Sequence, residues 1–361
     1  MDAMYDGVFQ SFQLKQFVQR ILMTDQINVK VVLKSRPAGM VEEENFDIIS
    51  EPAATPGDNE MLVKTLWLSL DPYMRGRMAD RESYAKPLQI GEVMTGGIVG
   101  EVVESNAGDY PVGTIVSAMH GWQSYAVAKP GDSRLFKVDP NLAPISTAVG
   151  ATGMPGQTAY FGLLKLGKPQ PGETVVVSAA SGAVGSVVGQ VAKIQGCKAV
   201  GVAGGAEKCR YVVEELGFDA CVDYKAADFA EQLAAACPEG VDVYFENVGG
   251  VVLEAVAPLL NKGARVPVCG FISAYNATDM SQIKTPEMVL SALPHPPESR
   301  FFIVTEWMEE FDASTKQLGE WIKEGKLKYR ETVVEGLENA PTAFKMLFTG
   351  ENFGKLVIKV A

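Results

Sequence analysis

The stretch "VVVSAASGAVGSVVGQVAK", residues 175–193, constrains this chain more than any other. A β-branched run passes into a string of small residues, and no charge stands between Glu173 and Lys193. Taken alone, such a stretch fits a membrane span, a buried helix or a loop built to hold a phosphate. The residues beyond it decide among the three. Short apolar strands ("KAVGVA", "ACVDY", "VDVYFENV", "ARVPVCG") alternate with helical stretches ("AEKCRYVVEELG", "AADFAEQLAAAC", "VLEAVAPLLN"). Repeated strand–helix units fold as a parallel sheet with helices on both faces. A membrane helix needs about 20 apolar residues, and a run this rich in Gly and Ser is weakly hydrophobic for that role. The stretch reads instead as the first strand–turn–helix of a doubly wound α/β fold, where such folds seat a pyrophosphate.

The turn itself agrees. "AASGAVG" sets Ala179, Gly182 and Gly185 in an AxxGxxG spacing, with Ala180 where the commoner motif has its first Gly. Small residues let the backbone turn tightly and approach a pyrophosphate, whose charge rests on the N–H groups of the helix's amino end. Glycines serving close helix–strand packing would leave the same spacing; the further strand–helix units behind it favour the phosphate loop. The second strand then selects the cofactor. A fold that takes NAD carries an acid there for the ribose 2′-hydroxyl. Here "VGVAGGAEKCR" puts Ala203, Gly204 and Gly205 in place of any acid, with Lys208 and Arg210 following. An ammonium pairs well with a 2′-phosphate, so NADPH is the expected cofactor. The alternative is that both cations are solvated charges on an exposed helix.

Ahead of the parallel sheet, "INVKVVLKS", "MLVKTLWLSL", "GGIVGEVVES" and "TIVSAMHGWQSYAVA" are β-rich and punctuated by turns such as "ATPGDNE" and "DYPVG". That pattern suits a small, mostly antiparallel barrel or sandwich. Beyond residue 304 come a long amphipathic helix, a strand, another helix and a strand. A length of 361 residues accommodates two domains. The expected division is a nucleotide-binding domain over 151–309 and a substrate domain made of 23–150 plus 310–361. Residues 1–22 read as an extension: Asp2 and Asp6 stand where a secretory signal has basic residues, Lys15 and Arg20 interrupt any apolar core, and Met23 is itself a candidate start.

Charge and composition exclude other classes. Lys+Arg 32 against Asp+Glu 44 gives a net charge of -12, which repels phosphate backbones and anionic lipid, so neither nucleic acid nor membrane is an expected partner. Cys197, Cys209, Cys221, Cys237 and Cys269 are odd in number and widely spaced, and read as buried thiols of a reducing cytoplasm. A catalytic zinc needs Cys and His ligands. The chain has His120 and His295, no cysteine before Cys197, and no His beside Gly91 and Glu92, so no metal is expected.

Seven motifs in register carry a resemblance. "LSLDPYMRGRM" (68–78), "GMPGQTAY" (153–160), "AASGAVGSVVGQ", "FENVGG" (245–250), "CGFISAYN" (269–276), "GLENAP" (336–341) and "NFGK" (352–355) resemble the zinc-independent prostaglandin reductases of the medium-chain dehydrogenase/reductase superfamily. Plant alkenal double-bond reductases and bacterial curcumin reductases share the pattern, and "GVAGGAEKCR" and "CGFISAYNAT" look most like the bacterial curcumin reductases. The likeness spans about 23–361 and is poor between Met280 and Arg300, a loop that helps wall the active site in that family.

The resemblance implies a GroES-like β-barrel-type substrate domain beside a Rossmann domain, a homodimer, and NADPH-dependent reduction of the C=C bond of α,β-unsaturated ketones and aldehydes. An NADPH:quinone oxidoreductase is the second reading, and a non-catalytic NADPH-binding protein the third. It implies site residues too. Gly182, Ala183, Val184 and Gly185 would line the pyrophosphate, with Lys208 and Tyr224 at the 2′-phosphate. Asn247 would sit beside the ribose or nicotinamide. Cys269, Gly270, Phe271, Ile272, Ser273 and Tyr275 would follow the nicotinamide's face, Phe302, Ile303 and Val304 would close over it, and Asn352 would hydrogen-bond back to the cofactor. Tyr275 and Tyr73 match tyrosines that meet the substrate carbonyl. Hydride arriving at the β-carbon of an enone puts charge on that oxygen, and a phenol O–H both stabilises the charge and donates a proton. Either tyrosine is also compatible with a core aromatic whose hydroxyl is capped by backbone.

Overall fold

The computed structural model describes residues 26–81, 85–132 and 134–361. The expected extension over 1–22 lies outside the described residues. Early in the chain come β1 (Ile27–Leu33), β2 (Phe46–Pro52), β3 (Met61–Ser69), β4 (Ile98–Ser105), β5 (Ile115–Ala118), β6 (Tyr125–Ala128) and β7 (Phe136–Lys137). A short helix, α1 (Tyr73–Arg77), follows β3. Then come β8 (Thr174–Ser178), β9 (Lys198–Ala203), β10 (Ala220–Asp223), β11 (Val241–Phe245), β12 (Leu260–Val268) and β13 (Glu298–Phe301). The chain finishes with β14 (Glu331–Glu335) and β15 (Lys355–Lys359).

β8 to β13 lie parallel in the order β10-β9-β8-β11-β12-β13. The first and fourth strands of this set are neighbours, so the winding reverses between β8 and β11 and leaves a crevice outside their carboxyl ends. A second sheet runs β14-β15-β3-β4-β5-β7, with β6 also on β3; its pairings are antiparallel except β14 with β15. The α/β class expected from the sequence is the class the chain adopts, a mainly antiparallel sheet unit beside a doubly wound parallel sheet.

β8 is buried at every position, which is why a continuous β-branched run suits it. α2 (Met154–Phe161) precedes it, and α3 (Gly185–Ile194) follows it and buries Val187, Val188 and Val191. Each such side chain contributes about 1.5–3 kcal/mol on burial. α4 (Ala206–Glu214) joins β9 to β10. The helix Phe311–Lys323, which the sequence groups with the substrate unit, packs Leu318 and Trp321 into the apolar cluster that holds Val175 and Val188. The other unit has its own core, in which Trp122 stacks on Phe46 at 5.6 Å and meets Phe344 edge-on at 5.4 Å. Among the described residues, no helix is long and apolar enough to cross a membrane.

Candidate active site

At the end of β8 the chain turns sharply. Ala179 takes φ +53°, and the Gly182 N–H closes the turn onto the Ala179 carbonyl at 2.9 Å. Gly185 opens α3 so close to this turn that a Cβ would stand 2.3 Å from the Ala179 oxygen. Only glycine fits there. Among the described residues, the Val184 N–H has no protein acceptor, and it stands with that of Ala183 at the amino end of a ten-residue helix. An open donor at a helix start suits a pyrophosphate.

The carboxyl end of β9 is cationic. The Tyr224 ring covers Gly204, and the Asp223 carboxylate is engaged by the N–H groups of Gly205 at 2.9 Å and Lys225 at 3.0 Å. The Lys208 ammonium donates to the carbonyls of Gly350 at 2.7 Å and Asn352 at 2.8 Å, which leaves one of its three N–H bonds for a ligand. Burial, and then the nearby Lys225 ammonium, hold the Lys208 pKa below the usual lysine value. Two cations crowded together favour an anion between them. Arg210, by contrast, is exposed. Sequence reasoning passed over Lys225, whose only signal was its place directly after Tyr224 in "VDYK".

The segment 350–354 ties these two ends together. Gly354 forms a bridge to Gly182, the Asn352 side-chain amide donates to the Gly354 carbonyl at 3.1 Å, and the Asn352 carbonyl receives Lys208. Phe353 is gripped by the Arg330 guanidinium, 3.9 Å above its ring, and by Tyr211 edge-on at 4.9 Å.

At the crevice between β8 and β11, the Asn247 backbone N–H donates to the Ser178 hydroxyl and its side-chain amide to the Ser178 carbonyl, each at 2.8 Å. Glu246 stands just before it, fully buried. Its Oε1 accepts from Val248 N–H at 2.6 Å, Gly249 N–H at 3.0 Å and Ser178 Oγ at 3.1 Å. Burial raises the Glu246 pKa, and the two N–H bonds oppose the rise. The Glu246 carboxylate ties the end of β8 to the loop that follows β11, and sequence reasoning missed it, although an acid inside "VYFENV" was a visible anomaly.

Burial, and then the Glu246 charge, push the Cys269 thiol up to about 12, away from the thiolate form that reacts. Gly270 lies under the Tyr275 hydroxyl, which stands 2.6 Å from where a Cβ would be, and Phe271 meets the Tyr275 ring edge-on at 5.9 Å. Phe302 and Val304 are drawn into the core, Phe302 between Phe245 and Trp307. Ile303 between them stays half-buried, so any contact from this segment to a ligand falls to Ile303 and the backbone.

The other tyrosine is brought in from the antiparallel unit. The buried Lys355 ammonium donates to the carbonyls of Leu70 at 2.7 Å and Leu356 at 2.9 Å and to Asp71 Oδ1 at 3.1 Å, while Ser69 donates to the same carboxylate. This fixes the bend into α1, which opens at Tyr73. Two residues on, Arg75 Nε donates to Asn276 Oδ1 at 3.1 Å, and its Nη2 holds the Gly39 carbonyl at 2.8 Å. Asn276 follows Tyr275, so one hydrogen bond joins the segments that carry both tyrosines. A cavity of about 280 Å³ lies close by, bounded by Gly249, Phe271 and Ser273 and by Gln282, Ile283 and Lys284 of the atypical loop. Among the described residues, no three His, Cys, Asp or Glu side chains gather to hold a metal ion.

Comparison with known proteins gives the chain's relatives. Residues 30–138 match the family described as the N-terminal domain of oxidoreductase, and residues 183–303 the family described as zinc-binding dehydrogenase. The NADPH-dependent curcumin reductase of Escherichia coli is 50% identical over 339 residues, which is 93% of this chain and 98% of that protein. Prostaglandin reductase 1 of Bos taurus is 41% identical over 91% of this chain and 97% of its own. The crystal structure of CurA in complex with NADPH from Vibrio vulnificus superposes with a TM-score of 0.87 at 48% identity, covering 92% of this chain and 99% of that one.

Proposed function

Because the chain belongs to the medium-chain dehydrogenase/reductase superfamily, in its prostaglandin reductase and curcumin reductase branch, we propose that it reduces the C=C bond of α,β-unsaturated ketones and aldehydes with NADPH. The observation that carries this reading is the Tyr275 hydroxyl lying against Gly270 just past the end of β12, beside the crevice where an open α/β sheet takes a dinucleotide. NADPH, when bound, supplies the hydride that goes to the substrate's β-carbon. The chain supplies the rest. Ala183 and Val184 offer N–H groups to the pyrophosphate, and Lys208 and Lys225 offer charge to the 2′-phosphate. Asn247, pinned by Ser178, lines the crevice at the nicotinamide end. Tyr275 donates a hydrogen bond to the carbonyl oxygen as negative charge grows there, with Tyr73 the second candidate. The Arg75–Asn276 bond holds the two segments in register. A homodimer in the cytoplasm is the proposed setting, resting on the family likeness and on five free cysteines.

The test is a panel of enones, enals, curcumin-like diarylheptanoids and quinones followed by NADPH oxidation, with products identified by mass spectrometry. Saturated ketones support the reading; hydroquinones alone would replace it with quinone reduction. Tyr275→Phe keeps the ring and removes the donor, which lowers kcat by about 10²- to 10³-fold with KM little changed. Near wild-type kcat in that variant would move the donor elsewhere.

A further inference from the structure

We propose that Cys209 and Cys221 form a hydroperoxide-sensitive thiol pair whose oxidation to a disulfide loosens the chain's hold on NADPH. Cys209 lies in the first turn of α4 and Cys221 in β10, and their sulfurs stand 3.1 Å apart, Cys221 donating. Both residues are half-buried, within reach of a small oxidant. The hydrogen bond from Cys221 stabilises a Cys209 thiolate and holds that thiol below its usual pKa, whereas burial pushes Cys197 and Cys237 up to about 11 and Cys269 to about 12. Thiolates are the reactive form, so oxidant selects Cys209 among the five.

The chemistry closes in two steps. The Cys209 sulfur attacks one oxygen of hydrogen peroxide, the O–O bond breaks, and a sulfenic acid and one water result. The Cys221 sulfur then attacks the sulfenic sulfur, and the hydroxyl leaves with the Cys221 proton as a second water. Two thiols lose two electrons and two protons, and the peroxide takes both. A disulfide needs about 2.05 Å between sulfurs, so the pair must close by about one ångström. β10 is paired with β9 along its length and Cys221 packs against Gly201, so the closure falls on the Cys209 side and, in this proposal, draws the first turn of α4 with it. Lys208 is the residue before Cys209, and its contacts with Gly350 and Asn352 are broken or strained by a shift of that size. The inference rests on Lys208 holding the 2′-phosphate.

The experiment treats the full chain with hydrogen peroxide, alkylates the remaining thiols, and maps them by mass spectrometry before kinetics on an enone. Expected are a loss of two hydrogens, protection of Cys209 and Cys221 from alkylation, and a rise of about tenfold or more in KM for NADPH. The KM for NADH stays put, dithiothreitol reverses the change, and Cys209→Ser or Cys221→Ser abolishes it. Both thiols still open to alkylation after peroxide would overturn the proposal, as would a disulfide that leaves the KM for NADPH where it was. Reduced enzyme with equal KM for NADPH and NADH would overturn the cofactor reading and the switch with it, a failure distinct from an absent disulfide.

Discussion

Lys355→Met strikes the joint that holds α1 in place. The Lys355 side chain is 5% exposed and that of its partner Asp71 7%, with three acceptors around one ammonium. Methionine fills the stem's volume and removes the charge and every donor. Breaking one side of a buried ion pair costs about 3–5 kcal/mol, because the other charge stays behind without its partner. The Leu70 and Leu356 carbonyls lose their donor as well, a loss of about 1–3 kcal/mol for each group left unsatisfied, and one already counted in part in the first figure. At about 2–4 °C per kcal/mol for a unit of 150–250 residues, the apparent Tm falls by roughly 6–20 °C. Circular dichroism on heating reads this directly. The double variant Lys355→Met/Asp71→Asn removes the stranded charge and recovers at least half of the loss. A drop under about 3 °C in the single variant, or a double variant worse than the single, would refute the reasoning.

Lys208→Ala raises KM for NADPH by about 10- to 150-fold, the worth of one charge-assisted contact, and leaves weak NADH use unchanged; equal loss with both cofactors excludes a 2′-phosphate role. Asn276→Ala cuts the bond to Arg75 and lowers kcat/KM for an enone such as benzylideneacetone by about tenfold or more, with KM for NADPH unmoved; unchanged kinetics would show that the segments align without it. Burial raises the folded-state pKa of Glu246, so between the ordinary carboxylate value and that raised one the folded chain keeps a proton that the unfolded chain has lost. Stability falls as pH rises through that window. Glu246→Gln flattens this part of a Tm-against-pH profile, and an unaltered slope counts against the assignment.

What could be read from the sequence was local. The AxxGxxG turn, the acid-free end of β9 and Lys208 lie within about 30 consecutive residues, and strand–helix periodicity fixes their placement without any tertiary contact. The positioning residues were hidden for the opposite reason. Arg75 finds Asn276 201 positions away and Lys355 finds Leu70 285 positions away, separations that no spacing rule reaches. Phe302 and Val304 follow the same logic: their packing against Phe245, Trp307 and Phe311 joins residues more than 50 positions apart as well as near ones, and no local pattern shows it. The cysteines were read as uniformly buried, yet Cys209 and Cys221 are half-buried partners, because a helix and a strand meet there in space.

The wide separation of Lys355 from Leu70 also sets an order of assembly. The parallel sheet takes all six strands from one unbroken stretch, 174–301, so its ladder needs no strand from elsewhere in the described chain. The antiparallel sheet must wait. Trp67, Leu68 and Ser69 of β3 have no strand on that side until β15 arrives, and β14 joins the sheet only through β15. Until then β3 presents unpaired N–H and C=O groups to the cell, an open edge of the kind that recruits chaperones or other chains. Translation halted before residue 350 leaves all six parallel strands made, the antiparallel sheet unclosed, and Lys208 without the Gly350 and Asn352 carbonyls.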